Sequence, residues 1–166
     1  MNAMMMVLVL LAADQGVALD AQVMTSLGAR AQLASQWGRP TVLFYEDRFS
    51  TKLNQPLKDS LFQRGVELGL VDRVTVVAVA NLEGLDWFPA RGFALAAVRD
   101  AEKEAGIPVF VDWSGVLAQP PWRLPAKTAS VVVLDAAGRA TWQASGALDA
   151  AQREEVFTEL LRLLRS

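Results

Sequence analysis

Four short runs of apolar residues constrain the fold of this chain more than any other feature. They read TVLFY from Thr41, VTVVAVA from Val74, IPVFVD from Ile107 and SVVVL from Ser130. Continuous runs rich in β-branched and aromatic residues are typical of strands that are buried on both faces of a sheet. Segments with helical spacing separate the first three runs, which implies parallel strands joined by right-handed crossovers. The sequence therefore predicts an α/β fold with a central mixed sheet flanked by helices.

Two hairpins are predicted at the ends of this sheet. An N-terminal β-hairpin pairs residues 20–25 with residues 29–33, and a second hairpin pairs residues 130–134 with residues 139–145 around the turn DAAG. Three proline residues and Trp122 lie in residues 116–127, for which we predict irregular structure.

Three helices complete the predicted architecture. The first follows a cap at Ser50 or Thr51, and Pro56 is expected to kink its first turns. Its expected apolar positions are Leu53, Leu57, Leu61, Phe62 and Val66. The second helix begins at Pro89 and ends before Gly106. The third begins with a capping box formed by Asp149 and Gln152 and buries Val156, Phe157, Leu160, Leu161 and Leu164.

The apolar run at residues 3–13 has two interpretations. It is too short to span a bilayer, which takes roughly 20 residues, but it has the length of a signal-peptide core. No Lys or Arg precedes it, although export signals carry positive charge there. We expect residues 1–19 to be a truncated signal peptide or an N-terminal extension, and residues 20–166 to be one domain. A periplasmic or otherwise exported location is favoured, and the cytoplasm is the alternative.

The composition excludes several functions. The chain contains neither Cys nor His, so it has no thiol for redox chemistry, no Ser-His-Asp triad and no Cys/His zinc site. Its net charge is −2 and it has no basic stripe, which argues against nucleic-acid binding. We predict no cofactor, no metal and no catalytic residue, and no transmembrane segment.

Three stretches resemble thioredoxin-fold proteins of the peroxiredoxin and TlpA type. GRP before TVLFY resembles the entry to the central strand, Pro56 resembles the proline of the active-site helix, and SVVVLDAAGR at residues 130–139 resembles the final hairpin. Residues 112–149, and more weakly residues 46–57, are similar to the YtfJ-like family of bacterial thioredoxin-fold proteins. This resemblance implies a thioredoxin-like fold over residues 20–165 and export. It implies no activity, because the role of that family is unassigned.

The redox positions of such a fold are occupied by other residues here. Depending on the alignment, the two cysteine positions fall on Arg48 and Thr51 or on Phe49 and Lys52. The cis-proline position falls on Ala129, where we expect a trans bond because a non-proline cis bond costs about 3 kcal/mol. The groove that remains is predicted to bind an unidentified protein or peptide through backbone hydrogen bonds. Its candidate residues are Glu46, Asp47, Arg48, Phe49, Ser50, Thr51, Thr128, Ala129 and Ser130.

The charged residues of this loop have a second interpretation. Glu46 and Asp47 follow a buried strand, where ligands bind in α/β sheets, and with Asp112 they would form the divalent-metal site of an enzyme. The favoured interpretation is that both carboxylates complement the positive end of the helix. Similarly, Arg48 and Lys52 either bind an anion at the helix start or, as we favour, pair with nearby carboxylates on the surface.

Four aromatic residues, Trp87, Phe88, Trp113 and Trp122, lie in or beside predicted loops. They form a contact surface for a partner, or they cover the ends of the sheet beneath irregular loops, which is the interpretation we favour. A structural oligomer that buries the Trp87–Phe88 face is a further alternative to a monomeric binding protein.

We expect the purified protein to reduce no disulfide and to consume no peroxide, because no side chain of the chain can form a disulfide intermediate. Insulin reduction and hydroperoxide consumption measure this, with a cysteine-containing thioredoxin as the positive control. Turnover above the rate without protein would contradict the prediction.

Overall fold

The computed structural model describes residues 16–166, and the predictions for the run at residues 3–13 lie outside the described residues. The strands are β1 (Gln22–Met24), β2 (Arg30–Gln32), β3 (Thr41–Glu46), β4 (Thr75–Asn81), β5 (Val109–Asp112), β6 (Ser130–Leu134) and β7 (Ala140–Ser145). The helices are α1 (Gln55–Glu67), α2 (Ala90–Ala105) and α3 (Ala150–Arg165). Each of the four apolar runs therefore forms a strand, as predicted.

The strands form one seven-stranded sheet in the order β2-β1-β5-β4-β3-β6-β7. β3, β4 and β5 are parallel, whereas β6 is antiparallel to β3 and to β7, and β1 is antiparallel to β2 and β5. The sheet is mixed and its N-terminal hairpin is present with shorter strands than predicted. The predicted α/β architecture is confirmed.

The central strand β3 separates the two main cores. Val42 and Phe44 pack in the core that contains the buried residues of α1 and α3. Leu43 and Tyr45 pack on the opposite face, in the core that contains Trp122. Loops and two short 3-10 helices, Leu33–Gln36 and Val116–Ala118, close this core instead of α-helices, so the region predicted to be irregular contains one helical turn. Every residue of β3 is buried, which explains why its sequence shows no alternation of polar and apolar side chains.

Strand β4 is less buried than its composition predicts. Val77 and Val79 are buried, whereas Val76, Ala78 and Ala80 on the helix face are only partly covered. Ala78 contacts both the core beneath α1 and α3 and the smaller core beneath α2. The strand therefore runs below the junction between two helices, where coverage is incomplete.

Helix α1 begins later than predicted. Residues 48–54 form turns, and the helix starts at Gln55, so neither Ser50 nor Thr51 is its cap. Pro56 lies in the first turn, where its missing N–H breaks no helical hydrogen bond, so the physical reason for the expected kink is absent. Leu57 is buried, but Phe62 and Val66 are 78% and 71% exposed. The buried face of α1 contains Leu57 and the residues that follow it at intervals of three or four positions, such as Leu61 and Gly65. Phe62 lies outside that face.

Helices α2 and α3 lie where they were predicted, although α2 starts at Ala90 and Pro89 is its N-cap residue instead of its first residue. Gly106 ends α2 in the left-handed conformation with φ +69°, which glycine adopts without steric cost. No helix among residues 16–166 combines the length and the hydropathy needed to cross a bilayer.

The predicted capping box of α3 is present. The Asp149 carboxylate accepts a hydrogen bond from the Gln152 backbone N–H at 2.8 Å, and the Gln152 side-chain oxygen accepts one from the Asp149 N–H at 3.0 Å. Two amide groups that the helix itself leaves unpaired are thereby satisfied.

Replacing Asp149 by Ala should lower the free energy of unfolding by about 1 kcal/mol, because one capping acceptor is lost. Urea unfolding monitored by circular dichroism measures this. Asp100→Ala, on the exposed surface of α2, is the control and should not destabilise the protein. Equal effects of the two substitutions would show that the cap does not stabilise α3.

Candidate functional site

The candidate site lies at the carboxyl end of β3. Tyr45 pairs with Ser130 of β6, and Glu46 pairs with Ala80 of β4. The pairing brings residues 46–51 next to the segment that enters β6, which is where the sequence resemblance places the two sides of the groove. The peptide bond before Ala129 is trans, in agreement with the expectation from its sequence.

The nine groove residues divide into a buried set and an accessible set. The side chains of Glu46, Ser50, Ala129 and Ser130 are buried, so these four residues support the site rather than form its surface. Their burial follows from position, since Ser130 is a strand residue whose hydroxyl lies 2.8 Å from that of Ser145. The accessible set consists of the exposed Arg48, Phe49 and Thr51 and the half-buried Asp47 and Thr128.

The turn that carries Arg48 and Phe49 is held by local hydrogen bonds. The Asp47 carboxylate accepts from the Phe49 N–H at 3.0 Å, and the Ser50 hydroxyl oxygen accepts from the Asp47 N–H at 3.0 Å. Such side-chain contacts to nearby amides replace the hydrogen bonds that a helix or strand would provide. The exposed tip is therefore attached to an ordered support.

Asn54 fixes the other end of this turn. It is 2% exposed, its amide nitrogen donates to the Gly146 carbonyl at 3.1 Å, and its amide oxygen accepts from the Leu148 N–H at 2.9 Å. The sequence patterns did not indicate a role for this residue. An asparagine directly before a helix indicates a cap, but here its side chain makes no cap bond and instead joins the turn to the loop after β7.

The cations of the turn do not pair as favoured from the sequence. Glu46 forms its ion pair with Lys58, whose Nζ lies 2.6 Å from Oε1. Because α1 starts at Gln55, Lys58 lies in its first turn and reaches back to the end of β3. Within residues 16–166, neither Arg48 nor Lys52 forms an ion pair. The Arg48 guanidinium instead lies 4.5 Å from the centroid of the Phe49 ring.

Glu46 is a buried carboxylate with incomplete hydrogen bonding. It is 7% exposed, and its Oε2 has no hydrogen-bond partner in the described part of the chain. Burial raises the pKa of Glu46 above its ordinary value, and the neighbouring Lys58 opposes this shift only in part. Desolvation of the charged form therefore outweighs the ion pair.

Asp112 serves the opposite face of the sheet. It accepts a hydrogen bond from the Tyr45 hydroxyl at 2.9 Å and from the backbone N–H groups of Val116 and Leu117 at 3.0 Å and 3.1 Å. Burial, followed by the nearby Asp112 carboxylate, raises the pKa of Tyr45 above its ordinary value. The residue organises the segment after β5.

The proposed metal site is not assembled. Glu46 lies on the helix face of the sheet and Asp112 on the other, because strand side chains alternate between the faces. Among residues 16–166, no group of three acidic side chains is placed to hold a metal ion. The interpretation of Glu46, Asp47 and Asp112 as a divalent-metal centre therefore has no support from their arrangement.

The four aromatic candidates occupy three different environments. Trp122 is completely buried, and its indole N–H donates to the Asp20 carbonyl at 2.9 Å. It is a core residue and is removed from the contact surface. Trp113 is half-buried beneath the guanidinium of Arg91, which lies 4.5 Å from its ring centroid. Trp87 and Phe88 are 58% and 93% exposed. The favoured interpretation, that these rings cover the sheet beneath loops, therefore fits the buried Trp122 and is wrong for the exposed Trp87 and Phe88.

Solved structures with the same architecture belong to thioredoxin-like proteins. A DsbE-type thiol:disulfide interchange protein from Chlorobium tepidum is 21% identical, with 92% of this chain and 99% of that chain covered at a TM-score of 0.62. A secreted thiol-disulfide isomerase from Corynebacterium glutamicum is 15% identical, with 90% and 86% covered at 0.65. The exposed lipoprotein thioredoxin from Streptococcus pneumoniae is 16% identical, with 87% and 99% covered at 0.62.

These similarities confirm the predicted thioredoxin-like fold. No protein-family model and no curated protein matches the sequence. Two of these structures are named for thiol-disulfide chemistry, whereas this chain has no cysteine. It therefore has the fold without the side chains that exchange disulfides.

The raised pKa of Glu46 predicts a pH-dependent stability. Above the unfolded pKa of about 4.3, the folded state holds more protons on Glu46 than the unfolded state does, until the raised folded pKa is passed. The free energy of unfolding of the wild type, relative to that of Glu46→Gln, should therefore fall as pH rises through this window. Urea unfolding from about pH 2 to about pH 8 measures the difference.

Glu159→Gln provides a control of opposite sign. The hydrogen bond from Arg162 lowers the pKa of Glu159, so the wild type should lose stability relative to this variant as pH falls through the lowered pKa. A difference for Glu46→Gln that is constant, or that grows with pH, would contradict the assigned environment of Glu46.

Proposed function

We propose that this protein is a redox-inactive thioredoxin-fold binding protein that holds a protein or peptide segment at the turn after β3. The observation that carries this proposal is Phe49, which is 81% exposed on a turn that Asp47, Ser50 and Asn54 hold in place. A large aromatic side chain on a fixed support binds with little loss of conformational entropy.

Arg48 adds a second binding element at the same point. Its guanidinium stacks on the Phe49 ring and has no ion-pair partner within the described residues. Arg and aromatic residues are enriched at the positions that contribute most to protein–protein binding. The Arg48–Phe49 pair occupies the place at which redox members of this fold present a cysteine, according to the sequence resemblance.

The segment before β6 offers backbone groups to the same ligand. Thr128 is half-buried, and its backbone forms no hydrogen bond within residues 16–166. An extended peptide beside Thr128 would gain main-chain hydrogen bonds while its side chains contact the Arg48–Phe49 pair. No thiol is needed for binding of this kind.

The proposal places the protein in the bacterial envelope, as a YtfJ-like protein. The similarity of residues 112–149 to that family supports the assignment. Two of the solved relatives are named as secreted or exposed proteins, and the apolar run at residues 3–13 has the length of an export signal core. A cytoplasmic location is the alternative.

Site-specific photo-crosslinking tests the binding site. With p-benzoylphenylalanine in place of Phe49, we expect adducts with specific envelope proteins. The same group in place of Phe62, which is 78% exposed on α1, should give none of these adducts. Unlabelled wild type and Phe62→Ala should compete for them, whereas Arg48→Ala and Phe49→Ala should compete about tenfold less well or worse.

Two results would overturn the proposal. One is the same set of adducts from positions 49 and 62, which would indicate non-specific contact. The other is competition by Arg48→Ala and Phe49→Ala at the wild-type level. Adducts between two copies of this chain, obtained with the label at Phe88, would favour the structural oligomer instead.

A further inference from the structure

A cleft of about 280 Å³ opens in the sheet where β1 and β5 diverge. The two strands pair at one position, Met24 with Val111. Residues 22–24 and Arg30 of the N-terminal hairpin line one side of the cleft, and residues 111–114 line the other. The cleft is two strands away from β3 and is independent of the binding site proposed above.

The backbone bonding pattern shows which groups face the cleft. In β1, Ala21 accepts from the Leu33 N–H and the Thr25 N–H donates to Ala29, so the odd-numbered residues bond to β2. The backbone groups of Gln22 and Met24 therefore point towards β5.

The same reasoning applies to β5. The Asp112 carbonyl accepts a hydrogen bond from the Leu82 N–H, so the backbone groups of Asp112 are directed towards β4. Because these directions alternate along a strand, the backbone groups of Val111 and Trp113 are directed towards β1. Gln22 and Trp113 are thus the next two residues that would exchange backbone hydrogen bonds, but the strands have already separated there. Their N–H and C=O groups are directed into the cleft.

Arg30 adds charged hydrogen-bond donors at the cleft, and Trp113 lies in its wall. The indole N–H of Trp113 has no acceptor among the described residues, but its nitrogen is buried, so it is a reporter next to the cleft rather than a donor to its ligand. Arg30 is exposed at the cleft and forms no ion pair within residues 16–166. Asp112 also lines the cleft, but its carboxylate is engaged by Tyr45 and by backbone N–H groups.

We propose that this cleft binds the carboxylate of a small acid or of a peptide C-terminus. The Arg30 guanidinium would supply the charge, and the backbone N–H groups of Gln22 and Trp113 that face the cleft would donate to the carboxylate oxygens. The half-buried Met24 provides an apolar contact for the adjoining carbon atoms. The volume is slightly smaller than that of drug-sized ligand sites, which begin at about 300 Å³, and suits a ligand of amino-acid size.

Titration of the ¹⁵N-labelled full chain tests this inference. The indole N–H signal of Trp113 is identified by its loss in Trp113→Phe. It should shift saturably with N-acetylglycine and with N-acetyl-triglycine, but not with the neutral N-acetylglycinamide. If N-acetyl-triglycine saturates the signal at the lower concentration, the ligand class is a peptide C-terminus. If N-acetylglycine does so, the ligand class is a small acid.

Charge variants complete the test. Arg30→Ala should weaken N-acetylglycine binding at least tenfold, and Arg30→Gln serves as a second variant if Arg30→Ala melts at a lower temperature. Arg99→Ala, an exposed position on α2, should bind as the wild type does. The inference is overturned if the Trp113 signal does not saturate with either acid, if the neutral amide shifts it equally, or if removing the Arg30 charge leaves binding unchanged.

Discussion

The complete burial of β3 is the constraint on which the rest of this structure depends. Its side chains fill two cores at once, so neither face can carry an unpaired polar group without cost. Where the strand ends, the polar groups that follow must be satisfied by specific partners. Lys58 meets Glu46, Asp112 meets Tyr45, and hydrogen bonds hold the turn beyond the strand. This ordered turn carries the exposed Arg48–Phe49 pair at its surface.

The sequence predicts the fold well because its signals are local and strong. A run such as TVLFY is typical of a buried strand, and the capping box at Asp149 and Gln152 indicates a helix start by itself. The predicted start of α1 was too early, because Ser and Thr are favoured N-cap residues, as Asn is. Which one precedes the helix depends on the contact of Asn54 with Gly146 and Leu148, far along the chain.

The candidate site was predictable in position but not in chemistry. Resemblance to the fold identified the turn after β3, yet spacing alone could not show that Glu46 is buried and that Lys58 is its partner. The aromatic residues show the same limit, since Trp122 and Phe88 both lie near prolines in sequence but one is buried and the other 93% exposed. Burial of a loop residue depends on tertiary packing, which periodicity does not encode.

The contacts of Asn54 have a dynamic consequence. One side chain holds the carbonyl of Gly146 and the amide of Leu148, and Leu148 in turn accepts a hydrogen bond from Arg153 on α3. Any displacement of the segment between β3 and α1 must therefore stretch or break bonds at the entrance to the last helix. The hydrogen-exchange protection of the Leu148 N–H would therefore change when a ligand binds the turn after β3 and displaces Asn54. Asn54 and Leu148 are 94 residues apart in the sequence.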